Sequence, residues 1–486
     1  MSFKPSENLS NEEVKSGLKL VIADGLFAES MVSFTGGAFL VAMAIHMGAS
    51  NFQLGVLAAL PTFSSIFQLV SVWLVRKYKN RKAIAVIANI LARFPLLIIA
   101  VLPYLFTTST SVYVLIFFLF FHYYFGSVAG ASWNSWMRDL VPTEQLGTYF
   151  SHRSRLTQSL NVVLSLSIAF ALDYIKAHYP ESEYEAYSVM FLIGGGFGML
   201  GIVMLARTPE PQSHMVNDNL FQLLQKPLKD KNFRKLLAFN SSWAFSLNLA
   251  TPFFSVYMMK TLGIELSYII AFGIIAQISS ILSIKVWGRY SDRYSNKTII
   301  KICAPIYILC ILSWAFTTMP GSHTGTLIML VLINIFSGIS TAGINLGIGN
   351  IGMKLAPKDE AIVYLSVKNM TVAFFSTIAP LVGGLLADFF ANHQLVWSFE
   401  WKGNGTSSVL PLVDLKGWSF FFMIGGLMAL YSLRILGGIK EQGEVDKDKV
   451  VTYMRSKLRK SVVREAKGIY TGKPLASLRK AFMFFF

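Results

Sequence analysis

The sequence predicts an all-α integral membrane protein with twelve transmembrane helices in two six-helix, pseudo-symmetric halves. Three observations lead to this prediction: the composition, the recurrence of long apolar stretches, and an internal repeat. Of the 486 residues, 53% are hydrophobic and only 14% are charged. A soluble domain carries about 25% charged residues, so the composition excludes an ordinary soluble protein.

Long apolar stretches recur along most of the chain. Each is roughly 20 residues or longer, which is enough for a helix to cross a hydrocarbon core of about 30 Å. Helices and closed barrels satisfy their backbone groups in lipid, and the alternating strands of a barrel, about ten residues each, are absent from the sequence. Ser10 and Glu13 match a capping box, which predicts a helix leading into the first span. The expected spans, numbered in chain order, are 22–46, 52–75, 82–105, 111–137, 153–176, 187–206, 234–260, 265–289, 297–319, 325–353, 361–391 and 417–438.

Residues in the two halves of the chain are often alike at a fixed separation of 215 positions. The simplest explanation is an old duplication of a module of six spans. Because six is even, both copies enter the membrane from the same side, and the repeat is parallel. The matched positions include Gly48 and Gly263, Lys82 and Lys297, Pro142 and Pro357, Tyr149 and Tyr364, Ser151 and Ser366, and Arg153 and Lys368.

The Lys and Arg residues predict which side of the membrane each loop faces. They are concentrated after spans 2 and 8 and in the linker between the copies, whereas the loops near 47–51 and 106–110 contain none. We therefore expect a multi-pass protein of the cell membrane, inner or plasma, with both termini cytoplasmic. The expected segments are a cytoplasmic N-terminal segment (1–21), an N-terminal six-helix half (22–206), a cytoplasmic central linker (207–233), a C-terminal six-helix half (234–438) and a basic cytoplasmic tail (439–486).

The formal net charge of +17 does not indicate a nucleic-acid-binding protein, because the basic residues lie where cytoplasmic loops are expected. Within 451–469 apolar residues recur at helical spacing, with Lys and Arg mostly between them. This pattern predicts a basic amphipathic helix that rests on anionic lipids. A solvated or disordered tail is the alternative.

A ten-residue motif between spans 8 and 9 begins at Gly288, contains Asp292 and Arg293, and ends at Lys297. It resembles the motif G-x-x-x-D-R-x-x-[RNG]-[RK] of the major facilitator superfamily. The twelve spans, the repeat and the long central linker extend this resemblance over nearly the whole chain. In that family the loop helps to close the cytoplasmic gate, so the resemblance implies gating roles for Gly288, Asp292 and Arg293. A simple cytoplasmic anchor is the alternative.

The first copy departs from this motif, since Trp73 and Lys77 stand opposite Gly288 and Asp292. A second feature is common to both copies: Arg153 and Lys368 open spans 5 and 11 at matched positions. The acidic residues near them are Asp139, Glu144, Asp359 and Glu360. We hypothesise that these charges pair between the halves to close the cytoplasmic side and separate when it opens. A solvated loop face is the alternative.

Ionisable residues inside a membrane are costly and are functional candidates by default. Glu29 lies about nine residues into span 1, roughly 13 Å deep at a rise of 1.5 Å per residue, and His122 lies near the middle of span 4. The resemblance places spans 1, 4, 7 and 10 around a central cavity, so both residues are candidates for proton coupling. Asn248 and Asn334 are the polar candidates in spans 7 and 10. Helix packing is the alternative for all four residues.

Arg93 also lies near mid-depth in span 3, without an evident counter-charge in the sequence, and Asp24 lies close to the cytoplasmic end of span 1.

The resemblance implies secondary active transport of a small molecule by alternating access, and it permits a proton as the coupling ion. We expect a monomer without cofactor or metal. No phosphate-binding loop of the form G-x-x-x-x-G-K-[ST] is present. A receptor or scaffold derived from a transporter, or a membrane-embedded enzyme, is the competing class.

Overall fold

The computed structural model describes residues 5–441 except 8, 102–107, 143–144, 213–224, 318–322, 358–360, 392 and 404–405, and beyond them only 448, 450 and 452. The amphipathic helix expected within 451–469, with its lipid contact, therefore lies outside the described residues. The same is true of Glu144, Asp359 and Glu360, which we had placed near the gate.

Long helices make up most of the described chain and correspond one by one to the expected spans. Span 1 begins at Asn11, where Ser10 Oγ accepts from the backbone N–H of Glu13 and the Glu13 carboxylate accepts from that of Ser10, which confirms the expected capping box. The helices are Asn11–Thr35 with Gly37–His46 (span 1), Asn51–Ser64 with Gln68–Tyr78 (2), Arg81–Ile99 (3), Thr108–Leu140 (4), Leu146–His178 (5), Glu183–Arg207 (6), Lys231–Ala250 with Phe253–Lys260 (7), Leu266–Tyr294 (8), Asn296–Ser313 (9), His323–Leu355 (10), Ala361–Phe390 (11) and Trp418–Gly437 (12).

Span 7 is the least apolar of the twelve. In the described part of the chain, eleven helices are long and apolar enough to cross a membrane, and span 7 is the expected span that is absent from that set. Its first helix carries basic residues at its start and two asparagines further on, and it stops at Ala250, just before Pro252. A short preceding helix, Lys226–Lys229, ends the linker.

The repeat has a visible backbone cause at one matched pair. Gly48 and Gly263 both adopt positive φ angles, 79° and 61°, in the turns that precede spans 2 and 8. A left-handed conformation is open to glycine at no steric cost. The same turn therefore requires the same residue in both copies.

The chain divides into two compact units. Unit 1 comprises 1–218, 251–271 and 376–388, and unit 2 comprises 219–250, 272–375 and 389–486. In unit 1, span 1 packs on spans 5 and 6, and span 3 packs on spans 4 and 6. In unit 2, span 9 packs on spans 10 and 12, and span 7 packs on span 12.

A buried carboxylate caps span 3 in unit 1. Glu210 accepts from the backbone N–H groups of Arg81 and Lys82 at 2.8 and 3.1 Å, and from Arg81 Nε at 3.2 Å. Arg81 also donates to a carboxylate oxygen of Asp139 and to the carbonyl oxygen of Pro211. The end of span 6 is thereby tied to the start of span 3.

Unit 2 repeats this arrangement with Glu441 at the start of span 9. Its carboxylate accepts from the backbone N–H groups of Asn296 and Lys297 at 3.2 and 2.8 Å. Lys297 Nζ donates to the carbonyl oxygens of Gly437 and Ile439 at the end of span 12. Each six-helix copy therefore has its last span bonded to its third.

The long connection between spans 11 and 12 forms an antiparallel hairpin. Its strands are β1, Gln394–Gly403, and β2, Thr406–Lys416, with a register shift at Trp397 and Ser398. Apart from this pair, the named elements of the described chain are helical.

Candidate functional site

The charged and polar candidates of the first copy lie close together in unit 1. They come from spans 1, 3, 4 and 5, and we call them the polar cluster: Asp24, Glu29, Arg93, His122, Arg153 and Asn161.

Asp24 and Arg93 form the buried part of the polar cluster. Asp24 is 4% exposed and Arg93 is 5% exposed, and Arg93 Nη2 lies 3.6 Å from Asp24 Oδ1. Arg93 Nη1 donates to the carbonyl oxygen of Gly198 in span 6. The counter-charge of Arg93, which the sequence did not identify, is therefore Asp24. Although Asp24 lies close to the end of span 1, its side chain is buried.

Small residues of span 6 make room for this pair. A Cβ atom on Gly201 would lie 2.8 Å from Arg93 Nη1 and 3.1 Å from Asp24 Oδ1. One on Gly198 would lie 3.1 Å from Arg93 Cδ. These distances are shorter than normal contacts, so a side chain at position 201 would displace the Asp24–Arg93 pair.

Glu29 lies one to two turns further along span 1 and is half-buried. Its carboxyl interacts with the side-chain amide of Asn161 and lies within the field of Arg153. Asn161 Nδ2 also donates to Ser33 Oγ at 3.0 Å, and Ser33 Oγ donates to the carbonyl oxygen of Glu29 at 2.9 Å. The contact joins spans 1 and 5 and leaves part of the Glu29 carboxyl accessible.

His122 contacts span 3. Its Nδ1 lies 2.8 Å from the carbonyl oxygen of Ala92. A carbonyl oxygen only accepts, so Nδ1 carries the hydrogen in this contact. Among the described residues no hydrogen bond or ion pair joins His122 to Glu29, so the two midplane candidates share a region without forming a pair.

Arg153 lies against span 1. Its Nε lies 3.4 Å from the carbonyl oxygen of Val21, and its guanidinium carbon is 5.0 Å from the centre of the Trp133 ring. A Cβ on Gly25 would lie 2.7 Å from Arg153 Nε. Asp139, the acid that we had placed near Arg153, is paired with Arg81 instead.

The candidates of the second copy are spread over unit 2. The side-chain amides of Asn248 and Asn334 each donate at 2.8 Å to a carbonyl oxygen one turn earlier in their own helix. Lys368 is buried, and its Nζ lies 3.2 Å from where a Cβ on Gly352 would be.

The two charged residues at the centre of the loop motif between spans 8 and 9 lie on the surface of the described chain. Asp292 and Arg293 are exposed, and the Arg293 guanidinium lies 5.2 Å from the centre of the Tyr294 ring. Within the described chain nothing lies within 4 Å of a Cβ built on Gly288. No group of three or more His, Cys, Asp or Glu among the described residues is arranged to hold a metal.

Comparison with known proteins identifies the class. The model of the Major Facilitator Superfamily matches residues 25–380, so the chain belongs to this family of transporters. A curated relative, an uncharacterized MFS-type transporter of Methanocaldococcus jannaschii, is 25% identical over 139 residues. That match covers 29% of this chain and 34% of the relative, so the chain matches about a third of its length.

Solved structures of transporters share the fold. The nucleoside transporter NupG superposes with a TM-score of 0.60 at 14% identity, over 88% of this chain and 99% of that one. A D-xylose-proton symporter gives 0.59 at 14% identity, over 89% and 100%. The inward open xylose transporter XylE from E. coli gives 0.57 at 13% identity, over 88% and 95%. These likenesses show the shared twelve-helix fold, and membership of the family makes the protein an integral multi-pass membrane transporter rather than an enzyme.

Proposed function

We propose that the protein is a secondary active transporter that moves a small molecule by alternating access and couples this movement to protons at Glu29. The observation behind this proposal is the position of Glu29 in the polar cluster. Its carboxyl lies within a spanning helix, is half-buried, and has an amide and a guanidinium nearby. A carboxyl in such surroundings can exchange a proton with water and respond to a neighbouring charge.

The other charges of the polar cluster have different roles in this proposal. Asp24 and Arg93 hold each other in the interior and keep span 1 against span 3. Arg153 lies against Val21 and Gly25 of span 1, and its charge acts on both carboxyls. A proton taken up by Glu29 removes a negative charge beside Arg153, which links protonation to the position of spans 1 and 5.

We further propose that both termini and the central linker are cytoplasmic and that the membrane is the inner or plasma membrane. The Lys and Arg residues in the loops after spans 2 and 8 support this orientation. On that side, Arg153, Lys368, Asp139, Gly288, Asp292 and Arg293 remain our candidates for the cytoplasmic gate. In the gating proposal, Arg153→Glu increases cytoplasmic labelling of engineered cysteines near spans 5 and 11, and unchanged labelling contradicts it.

The proposed function is tested by finding a ligand and then measuring its movement. Purified protein is screened by thermal shift against nucleosides, sugars, amino acids, peptides and amphiphiles, because a ligand that binds the folded state raises its apparent stability. Each compound that stabilises the protein is then tested for uptake into proteoliposomes with and without an imposed pH gradient. We expect accumulation that needs the gradient and disappears with a protonophore.

A receptor or scaffold is the competing function. It predicts a compound that stabilises the protein but does not cross the membrane in either direction. Uptake that reaches only equilibrium and ignores the pH gradient contradicts proton coupling but leaves transport intact. Screening can start with nucleosides and sugars, since these are named for the structural neighbours.

A further inference from the structure

Asp173 caps a helix that belongs to the other copy of the repeat. It lies near the end of span 5, and its Oδ1 and Oδ2 accept from the backbone N–H groups of Leu266 and Ser267 at 3.0 and 2.8 Å. These residues begin span 8. Both oxygens of one carboxylate therefore serve the first turn of a helix from the second copy.

Asp388 makes the reciprocal contact. It lies near the end of span 11, and its Oδ1 and Oδ2 accept from the backbone N–H groups of Asn51 and Phe52 at 3.2 and 3.0 Å. These residues begin span 2, in the first copy. Ser50 Oγ accepts from the next free N–H, that of Gln53, at 3.2 Å. The first turn of span 2 is thus capped partly by its own chain segment and partly by span 11.

The two contacts are related by the repeat. Asp388 follows Asp173 by 215 positions, and Leu266 and Ser267 follow Asn51 and Phe52 by the same separation. All of these residues lie in unit 1. Each copy therefore contributes one carboxylate and one helix N-terminus. All four groups lie at the span ends on the side of the membrane away from the proposed side of the chain termini.

Each aspartate stabilises the contact between its own span and the helix that it caps. The first N–H groups of a helix have no partner within the helix, and the helix dipole favours a negative charge at that end. Hydrogen bonds from N–H groups to a carboxylate are stronger than bonds between neutral groups. At an exposed end, water can replace the carboxylate when the helices separate, so the contact is able to open.

Spans 2 and 11 continue this contact deeper into the protein. A Cβ on Gly55 would collide with the carbonyl oxygen of Pro380, and one on Gly384 would lie 2.7 Å from Phe52 Cα. The Oγ1 atoms of Thr62 and Thr377 are 3.3 Å apart. The two spans are therefore in contact over about three turns, roughly 16 Å at 1.5 Å per residue, with their backbones closest at Gly55 and Gly384.

The contact of Asp388 differs from that of Asp173 because Lys260 lies beside it. Its Nζ donates to Ala49 and Asn51 at 3.2 and 3.3 Å, and its charge acts on the exposed Asp388. Asp173 is more buried than Asp388. Because exposure weakens charge interactions, Asp173 makes the stronger of the two contacts.

We propose that Asp173 and Asp388 form a two-point latch that holds span 5 to span 8 and span 11 to span 2 at the outer end of the transport pathway. The latch is closed in this structure and opens when the pathway opens to that side. This inference rests on the proposed alternating-access function. It adds that the two contacts, although they lie on different helix pairs, open and close together.

The test is the rate of disulfide formation between spans 2 and 11. Cysteines replace Thr62 and Thr377 in a background with Cys303→Ala and Cys310→Ala, because the two hydroxyls are close enough for a disulfide to form. The initial rate of oxidative cross-linking in membranes then measures how often the two spans are in contact. Into this protein we introduce Asp388→Ala and Asp173→Ala, with Glu185→Ala, an exposed acid of span 6, as the control.

We expect Asp173→Ala to slow cross-linking by about fivefold, the effect of losing a good helix cap, Asp388→Ala to slow it by less, and the control to leave the rate unchanged. The result for Asp173→Ala is decisive, since the hydrogen bonds that Asp173 makes with described residues go to span 8 and not to either cross-linked span. A normal rate in that variant overturns the latch and leaves two independent caps. If an alanine variant does not yield monodisperse protein, the Asp→Asn variant of the same size replaces it, with the same expectation.

The experiment also separates the latch from the proposed function. Cross-linking reports contact whether or not a substrate is known. A fully cross-linked T62C/T377C protein that still accumulates a compound contradicts alternating access itself, whatever the aspartate variants do. A cross-linked protein that stops transport, with rates unaffected by Asp173→Ala, contradicts the latch alone.

Discussion

Asp24 and Arg93 form an ion pair in the interior of unit 1 that joins span 1 to span 3, with Oδ1 and Nη2 3.6 Å apart. A charge buried in a membrane protein is costly unless it is paired. Pairing allows both groups to stay charged, but it makes each one dependent on the other. The pair therefore holds the first helix of the polar cluster in place.

Breaking this pair is expected to destabilise the protein. In Arg93→Ala the Asp24 carboxylate is left buried without its partner, which costs about 3–5 kcal/mol. Unfolding of detergent-solubilised protein measures the loss, and Arg155→Ala, an exposed arginine of span 5, is the control. The double variant D24N/R93Q removes both charges and is expected to recover most of the stability. A double variant as unstable as Arg93→Ala contradicts the assignment of Asp24 as the counter-charge of Arg93.

Gly201 is expected to be intolerant of a side chain. Gly201→Ala places a methyl group against the Asp24–Arg93 pair, and such overpacking costs about 1–3 kcal/mol. Gly196 is in the same helix, and a Cβ there meets no described atom within 4 Å. Gly196→Ala is therefore the matched control and is expected to be neutral or slightly stabilising. Equal melting temperatures for the two variants count against the packing role of Gly201.

The buried carboxylates Glu210 and Glu441 are expected to have equivalent structural roles. Removing either leaves two N–H groups at a helix start without their acceptor, at about 1–3 kcal/mol for a buried unsatisfied group. Thermal unfolding of Glu210→Ala and Glu441→Ala measures this effect, with the exposed Glu12→Ala as control. A variant that melts like the control shows that its cap is dispensable.

Much of the fold followed from the sequence because lipid imposes strong rules on it. The lengths of the apolar stretches identified the spans. Span 7 was among them, although its polar residues make it the least apolar of the twelve. The offset of 215 identified the repeat, and Gly48 and Gly263 show its backbone cause. Asp173 and Asp388 also lie at that offset, so a search of the span ends for matched acids would have found them.

Other features could not be read from the sequence. The Asp24–Arg93 pair depends on how spans 1, 3 and 6 are rotated about their axes, which apolar length does not determine. Glu441 follows Glu210 by 231 positions rather than 215, because the hairpin between spans 11 and 12 is an insertion in the second copy. The start of span 5 was evident for Arg153, but the sequence does not show that its guanidinium lies on span 1 beside Gly25.

The central claim, that Glu29 couples a proton to transport, is tested most directly by comparing two kinds of flux in one variant. Wild-type protein and Glu29→Gln are reconstituted into proteoliposomes with a compound identified by thermal shift, and Glu29→Asp serves as the control that keeps the acid. Accumulation driven by a pH gradient and exchange without a gradient are then measured. We predict that Glu29→Gln loses gradient-driven accumulation but keeps exchange, while Glu29→Asp retains both in part. Gradient-driven accumulation by Glu29→Gln at the wild-type level would contradict the claim.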